Sequence, residues 1–269
     1  TLSPTVTDTP SPSTTPTATL TEKPIPTKTY KPKSTNTLQP SDTPSPSATI
    51  DSDPMVYDNF NNPFFDGGFH PGLWDSSDPP EGHIVQENGI LKIKKENQSA
   101  NSVTGLAALK YLDASLISLT SNDPTFFEAR LMLDSSDHAG NIYLNLGADL
   151  AEGSWLGQCY VNSSDNEQEG WASCFATNWE RREEPGYDYQ AEGRSVSYDT
   201  WYIVRIELYP STMEIKFYID GNLIGSHIPL DSDKLKDASF WLSIGVWSDN
   251  EDPSIGYIDY VRVGRIHEP

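Results

Sequence analysis

The feature that most narrows the fold is a two-residue alternation of apolar and polar side chains near the C-terminus. It runs from Trp201 to Tyr209, from Met213 to Gly225, and again from Gly256 to Gly264. A strand turns successive side chains to opposite faces. Val204, Ile206 and Leu208, like Ile215, Phe217 and Ile219, can therefore enter one core while their neighbours stay wet. A helix, repeating every 3.6 residues, cannot sort these side chains that way. Pro210-Ser211-Thr212 and Asp220-Gly221-Asn222 supply turn chemistry between the runs.

The same signals recur upstream. Tyr57 to Phe60 precedes a Gly-rich loop holding Phe69 and Trp74, and Ile90 to Lys94 follows an Asn88-Gly89 turn. Further strands are expected at Leu106–Leu109, Thr125–Leu133, Asn141–Ala148, Leu156–Val161, Trp171–Ala176 and Phe240–Trp247. No helix period persists over ten residues or more, so the pattern is that of an all-β sandwich or barrel.

Two of these strands declare both faces. Phe240, Leu242, Ile244 and Val246 read as core, with Trp241, Ser243, Gly245 and Trp247 opposite; Ile142, Leu144 and Leu146 read as core, with Asn141, Tyr143, Asn145 and Gly147 opposite. Rings stack on the apolar faces of sugars and amides bond their hydroxyls. Together with Tyr160 and Trp171 from neighbouring strands, that second face suits a glycan groove. The competing expectation is that the loop from Glu180 to Arg194 covers the aromatics.

Composition divides the chain. In residues 1–54, 34 are Thr, Pro or Ser, a bias that cannot build a core and favours an extended, disordered spacer or stalk, open to O-linked sugar. Residues 55–269 are enough for one sandwich domain and hold 14 basic against 34 acidic side chains. Such a field repels nucleic acid and anionic membrane, and no run of about 18 apolar residues is present to insert into a bilayer. The chain starts at Thr1 without a basic-then-apolar leader, so it is expected to be part of a longer exported protein whose signal or anchor lies upstream.

Cys159 and Cys174 fall on two segments joined by the polar loop Asn162–Gly170. In an antiparallel hairpin they can face each other as a disulfide; two free core cysteines are the alternative. Neither has a His or a second Cys at metal-ligand spacing.

The order of strand, short turn, strand, Asp-Gly turn and terminal Ile-Asp-Tyr-Val-Arg-Val strand resembles the concanavalin A-like lectin/glucanase superfamily, a jelly-roll β-sandwich of two antiparallel sheets. Within it, Tyr57-Asp58-Asn59-Phe60-Asn61, Trp74 and Asn88-Gly89-Ile90-Leu91-Lys92-Ile93 look like the opening of family 16 glycoside hydrolases; laminin G-like modules are the other near group. The resemblance implies that Trp247, in Gly245-Val246-Trp247, faces the groove. It also implies a structural calcium held by the carbonyls of Asn59 and Gly89 and the carboxylate of Asp259, oxygen donors that suit this ion.

The catalytic motif of family 16, Glu-x-Asp-x-x-Glu, would carry the two-carboxylate retaining scheme. No Glu-x-Asp pair occurs in this chain, and Gly157 to Asn162, in the corresponding region, holds no acid. The acids at 165–169 and 180–184 read as solvated loops. The five histidines are scattered, and no phosphate loop, nucleophile elbow or zinc-protease motif is present. Arg181-Arg182 reads as a local ion-pair site, and Asn97-Gln98-Ser99 and Asn162-Ser163-Ser164 fit glycosylation sequons. The expectation is a non-catalytic extracellular carbohydrate-binding module, its ligand a glycan or polysaccharide. A protein-binding adhesive or sensor domain of laminin G-like type is the alternative, and an unorthodox hydrolase or lyase a third.

Overall fold

A computed structural model of the chain describes residues 55–76, 83–95, 102–108, 123–134, 140–163, 169–248 and 253–266. The expected spacer over 1–54, the Asn97 sequon and the acidic cluster at 165–168 lie outside them. Sixteen strands follow one another among the described residues. The first eight are β1 (Met55–Asp58), β2 (Trp74–Ser76), β3 (His83–Glu87), β4 (Ile90–Lys95), β5 (Ser102–Ala108), β6 (Thr125–Leu133), β7 (Gly140–Leu150) and β8 (Gly153–Asn162). The rest are β9 (Glu169–Asn178), β10 (Asp188–Gln190), β11 (Arg194–Ser197), β12 (Tyr202–Tyr209), β13 (Glu214–Ile219), β14 (Asn222–His227), β15 (Ser239–Ser248) and β16 (Ser254–Arg265). The one α-helical element among them, Ser232–Leu235, is a single turn, and no described helix is long and apolar enough to cross a membrane.

The strands form two antiparallel sheets. Sheet A has the order β14-β13-β12-β6-β16-β4-β3, with β1 also on β16; sheet B has the order β10-β9-β8-β7-β15-β5-β2, with β11 also on β9. The three hairpin turns expected from sequence are present, between β3 and β4, β12 and β13, and β13 and β14. Asn88 and Gly89, like Asp220 and Gly221, all have positive φ, the backbone that lets a two-residue loop follow the twist of its strands.

One core fills the space between the sheets. Sheet A contributes Leu91, Ile93, Phe127, Leu131, Val204, Ile206, Phe217 and Val261, and sheet B contributes Leu106, Ile142, Leu144, Leu146, Val161, Leu242, Ile244 and Val246, all buried. The alternation breaks once usefully. Ile258 and Val261 both face inward although three residues apart, because Asp259 and Tyr260 together oppose Arg130 of β6 as a bulge.

Cys159 and Cys174 are directly paired across β8 and β9 and joined as a disulfide, with Cα atoms 4.1 Å apart and both side chains in the core. The outer faces of the two sheets differ in kind. Sheet A carries a charged ladder: Arg205 bonds Glu207 at 2.8 Å and lies 3.8 Å from Glu128, which Arg262 approaches at 3.7 Å. The centre of the outer face of sheet B carries amides, aromatics and glycines.

Candidate functional site: a groove on sheet B

The strand register lays the outward side chains of sheet B in rows. Across β5, β15, β7, β8 and β9, one row reads Val103, Trp247, Asn141, Asn162, Trp171. The next reads Gly105, Gly245, Tyr143, Tyr160, Ser173; the third reads Ala107, Ser243, Asn145, Gln158, Phe175 and ends on Gln190 of β10. A fourth, without β5, is Trp241, Gly147, Leu156, Thr177, Asp188. These rows floor a groove of about 810 Å³, walled at one end by Trp179 and Arg182.

The glycines set the depth of the floor. Gly105 and Gly245 lie under Tyr143, whose hydroxyl would stand 3.1 Å and 2.5 Å from a Cβ built on either. Tyr143 thus lies along the floor, and burial pushes its phenolic pKa well above the ordinary value. Tyr160 stands beside it and packs tilted on Phe175, ring centroids 6.2 Å apart. Gln190 is anchored by donating from Nε2 to Ser173 Oγ at 2.7 Å.

Two amide oxygens on this floor lack a protein partner. Asn141 is only 6% exposed and its Oδ1 accepts no hydrogen bond; Asn145 Oδ1 is in the same condition. A buried acceptor left unpaired costs free energy unless something supplies a donor. Neither oxygen exposes surface in the free domain, so a ligand hydroxyl reaches it only when the amide turns into the groove that both residues line.

Of the residues singled out from sequence, Asn141, Tyr143, Asn145, Tyr160 and Trp247 line the groove together. Trp171 and Trp241 share the face but stand outside the lining. The Trp171 indole packs on Gly193, where a Cβ would clash with Nε1, and is 44% exposed. The Trp241 indole lies over Gly147 and donates to Asp149 Oδ1 at 3.2 Å. The loop after Glu180 therefore covers part of Trp171 and builds a wall; it does not close the groove.

Sequence reasoning missed Gln158, Asn162, Phe175 and Gln190 as lining residues. The first two follow by period two from Tyr160, and Phe175 follows by the same step from Trp171. Trp179 and Arg182 had no periodic signal because they sit in a turn. That turn is built from within: Asn178 Nδ2 donates to the buried Asp231 at 2.7 Å, and Arg181 bonds Glu184 twice, at 3.0 Å and 2.6 Å, while stacking on Tyr187. The Arg181–Glu184 bonds raise the arginine's pKa and lower that of the glutamate.

The positions expected to hold calcium lie on or next to neighbouring strands of sheet A. β6 occupies one side of β16, so β4 and β1 share the other, with Leu91 opposite Ile258 and Asp58 opposite Val261. The end of β1 and the start of β4 therefore meet at the Asp259 bulge, bringing Asn59 and Gly89 towards it. Asn61 places its amide oxygen against Gly89, and Arg130 donates to Asp259 Oδ2 at 2.6 Å. One Asp259 oxygen is thus already engaged by the guanidinium.

Comparison with known proteins yields a fold and nothing narrower. No protein-family model and no curated protein sequence matches the chain. Solved structures do. An endo-acting O-glycanase of the human gut microbiota superposes with a TM-score of 0.54 at 13% identity, covering 78% of this chain and 98% of its own. LamAcat from Zobellia galactanivorans gives 0.51 at 13% identity, covering 77% and 95%. The GlcNAcα1-4Gal-releasing endo-β-galactosidase of Clostridium perfringens gives 0.51 at 13% identity, covering 77% of this chain and 61% of that one. The chain has the concanavalin A-like lectin/glucanase fold.

Proposed function

We propose that this domain binds a glycan or polysaccharide in the sheet B groove without cleaving it, as an exported module. The observation that carries the proposal is the floor itself: rings, amides and two unpartnered, buried amide oxygens in continuous rows. Such a surface offers stacking to sugar faces and acceptors to sugar hydroxyls. The buried disulfide suits an oxidising compartment.

Hydrolysis by a carboxylate pair is disfavoured by distance. Two-carboxylate hydrolysis needs its acids about 5–9.5 Å apart. The groove lining contains no carboxylate. Among side chains described on this face, acids occur at Asp75 on β2, Asp149 on β7 and Asp188 on β10. From strand spacing and rise, the nearest two, Asp149 and Asp188, have Cα atoms about 16 Å apart.

Affinity-gel retardation by a polysaccharide panel tests the proposal. Retardation that disappears for Trp247→Ala, with no reducing sugar or unsaturated product released, is expected. Retardation unchanged by Trp247→Ala would move binding elsewhere, and released product would make the domain an enzyme. A second reading, a protein-binding adhesive domain, draws on the edge strand β14 and the residues after it, where Leu223, Ile228 and Leu230 are exposed. It predicts capture of a protein partner that competing sugars do not displace.

A further inference from the structure

Asn141 and Asn145 ask for a hydroxyl donor, but one part of the groove asks for something else. In a domain with 34 acidic side chains, the groove lining has no acid and one charged residue, Arg182. From the balance of charges we infer that the ligand is an anionic glycan, bearing a carboxylate or sulfate ester that Arg182 receives. The inference rests on the glycan-binding reading and narrows its ligand class.

The adjacent arginines divide the labour. Arg181 is consumed by the fold through two bonds to Glu184, a 3.7 Å approach to Asp231 and its stack on Tyr187. Arg182 is held differently. Its guanidinium lies over the Trp179 ring at 4.6 Å, and its ion-pair neighbour is Glu183 at 3.6 Å, a side chain 93% exposed. An exposed pair of that kind contributes little and exchanges readily for a better-placed anion. The guanidinium held over the indole can exchange Glu183 for the bidentate contact that carboxylate or sulfate oxygens make with such a fork.

The other acids of this turn are accounted for elsewhere: Glu180 accepts from the Ser154 amide at 2.7 Å, and Glu184 is bonded to Arg181. The anion would therefore meet no carboxylate on the groove floor. Arg182 and Trp179 also stand at the Leu156 end, whereas Asn141 and Asn162 mark the other. Six residues of β8 separate Leu156 from Asn162, about 20 Å of strand. A single sugar cannot touch both ends, so the ligand engaging the whole groove is an oligomer or polymer.

The test uses the full chain and two matched polymer pairs in affinity electrophoresis: a polyuronate with its carboxyl-reduced neutral form, and a sulfated galactan with its desulfated form. At physiological salt, with a screening length of about 8 Å, the remote acids of the domain contribute little. Wild type is expected to bind the charged member of at least one pair about tenfold more tightly than its neutral form. Which pair shows the difference tells carboxylate from sulfate. Arg182→Ala is expected to abolish that preference by weakening the charged polymer about tenfold more than its neutral form, and Arg182→Lys to restore part of it. Equal binding within both pairs, or an Arg182→Ala loss equal for charged and neutral polymers, would overturn the anionic assignment and leave glycan binding standing. No retardation by any polymer would overturn both.

Discussion

Gly245 lies beneath Tyr143: a Cβ built there would stand 2.5 Å from the phenolic oxygen and 2.7 Å from the Thr104 carbonyl. The ring has some freedom to move, but the carbonyl belongs to the β5 ladder and does not. Gly245→Ala is therefore expected to destabilise the domain by about 1–3 kcal/mol, the range for overpacking a filled site. It should also weaken groove binding by lifting Tyr143. Urea melts and affinity gels on the same variant check both; an unchanged midpoint would mean that the floor yields more easily than its geometry implies.

Asn141 should separate stability from binding. Its Oδ1 is buried and unpaired, so replacing the amide by a similarly sized apolar group removes a cost in the free protein. Asn141→Leu is expected to melt no lower than wild type. Its affinity for a bound glycan should fall about 2- to 10-fold, the value of one neutral hydrogen bond. A variant that melts lower yet binds as well would assign the amide a structural role.

His227 gives the domain a mild acid sensitivity. The ring is half-buried and stacked on Tyr189 with centroids 4.8 Å apart, and burial lowers its pKa below the ordinary 6.5. As pH falls through 6.5, the unfolded chain takes up this proton before the folded one does. The contribution is complete above 6.5 and is lost as pH drops towards the folded value. His227→Phe keeps the stack and should flatten the stability–pH curve just below 6.5. Superimposable curves for the two proteins would show that burial there has no thermodynamic weight.

Cys159 and Cys174, 15 residues apart, cross-link β8 to β9 inside the core. By loop entropy, opening a ring of that size costs about 3 kcal/mol. Because both sulfurs are inaccessible in the fold, thiol reagents should reach them only after unfolding. Equilibrium melts with and without reductant measure the difference, and two thiols labelled in the unfolded, unreduced chain would contradict the bridge.

We propose that calcium binds where β1 and β4 meet the Asp259 bulge. At 100 times its dissociation constant, an ion that binds only the folded state adds about 2.7 kcal/mol. Asp259→Asn, which keeps an acceptor for Arg130, should lose most of that gain while groove binding on the other sheet is unaffected. Identical wild-type melts in calcium and in chelator would dispose of the ion.

Much of this architecture was legible because alternation is a local signal with a global meaning. Once Ile142, Leu144 and Leu146 are assigned to a core, Asn141, Tyr143 and Asn145 must face away from it. The short strands β2, β10 and β11 were not legible, since three or four residues cannot display a period. The fate of the tryptophans was hidden for another reason. Trp247 and Trp241 are equivalent in pattern, and what separates them is Gly147 beneath one and Asp149 within reach of its nitrogen, both on a different strand. The groove wall was hidden too, because turn residues such as Trp179 and Arg182 take their direction from tertiary contacts.

Met55 pairs with Val263 across β1 and β16, so the polypeptide enters and leaves the sandwich side by side, on the sheet that does not carry the groove. Both boundary strands therefore lie on the sheet opposite the groove. Joining these adjacent boundaries by a short linker, with new termini opened at an exposed turn such as Asp220-Gly221, should yield a circular permutant with the groove unaltered. A partner fused at either boundary would join the domain on sheet A, the sheet opposite the groove.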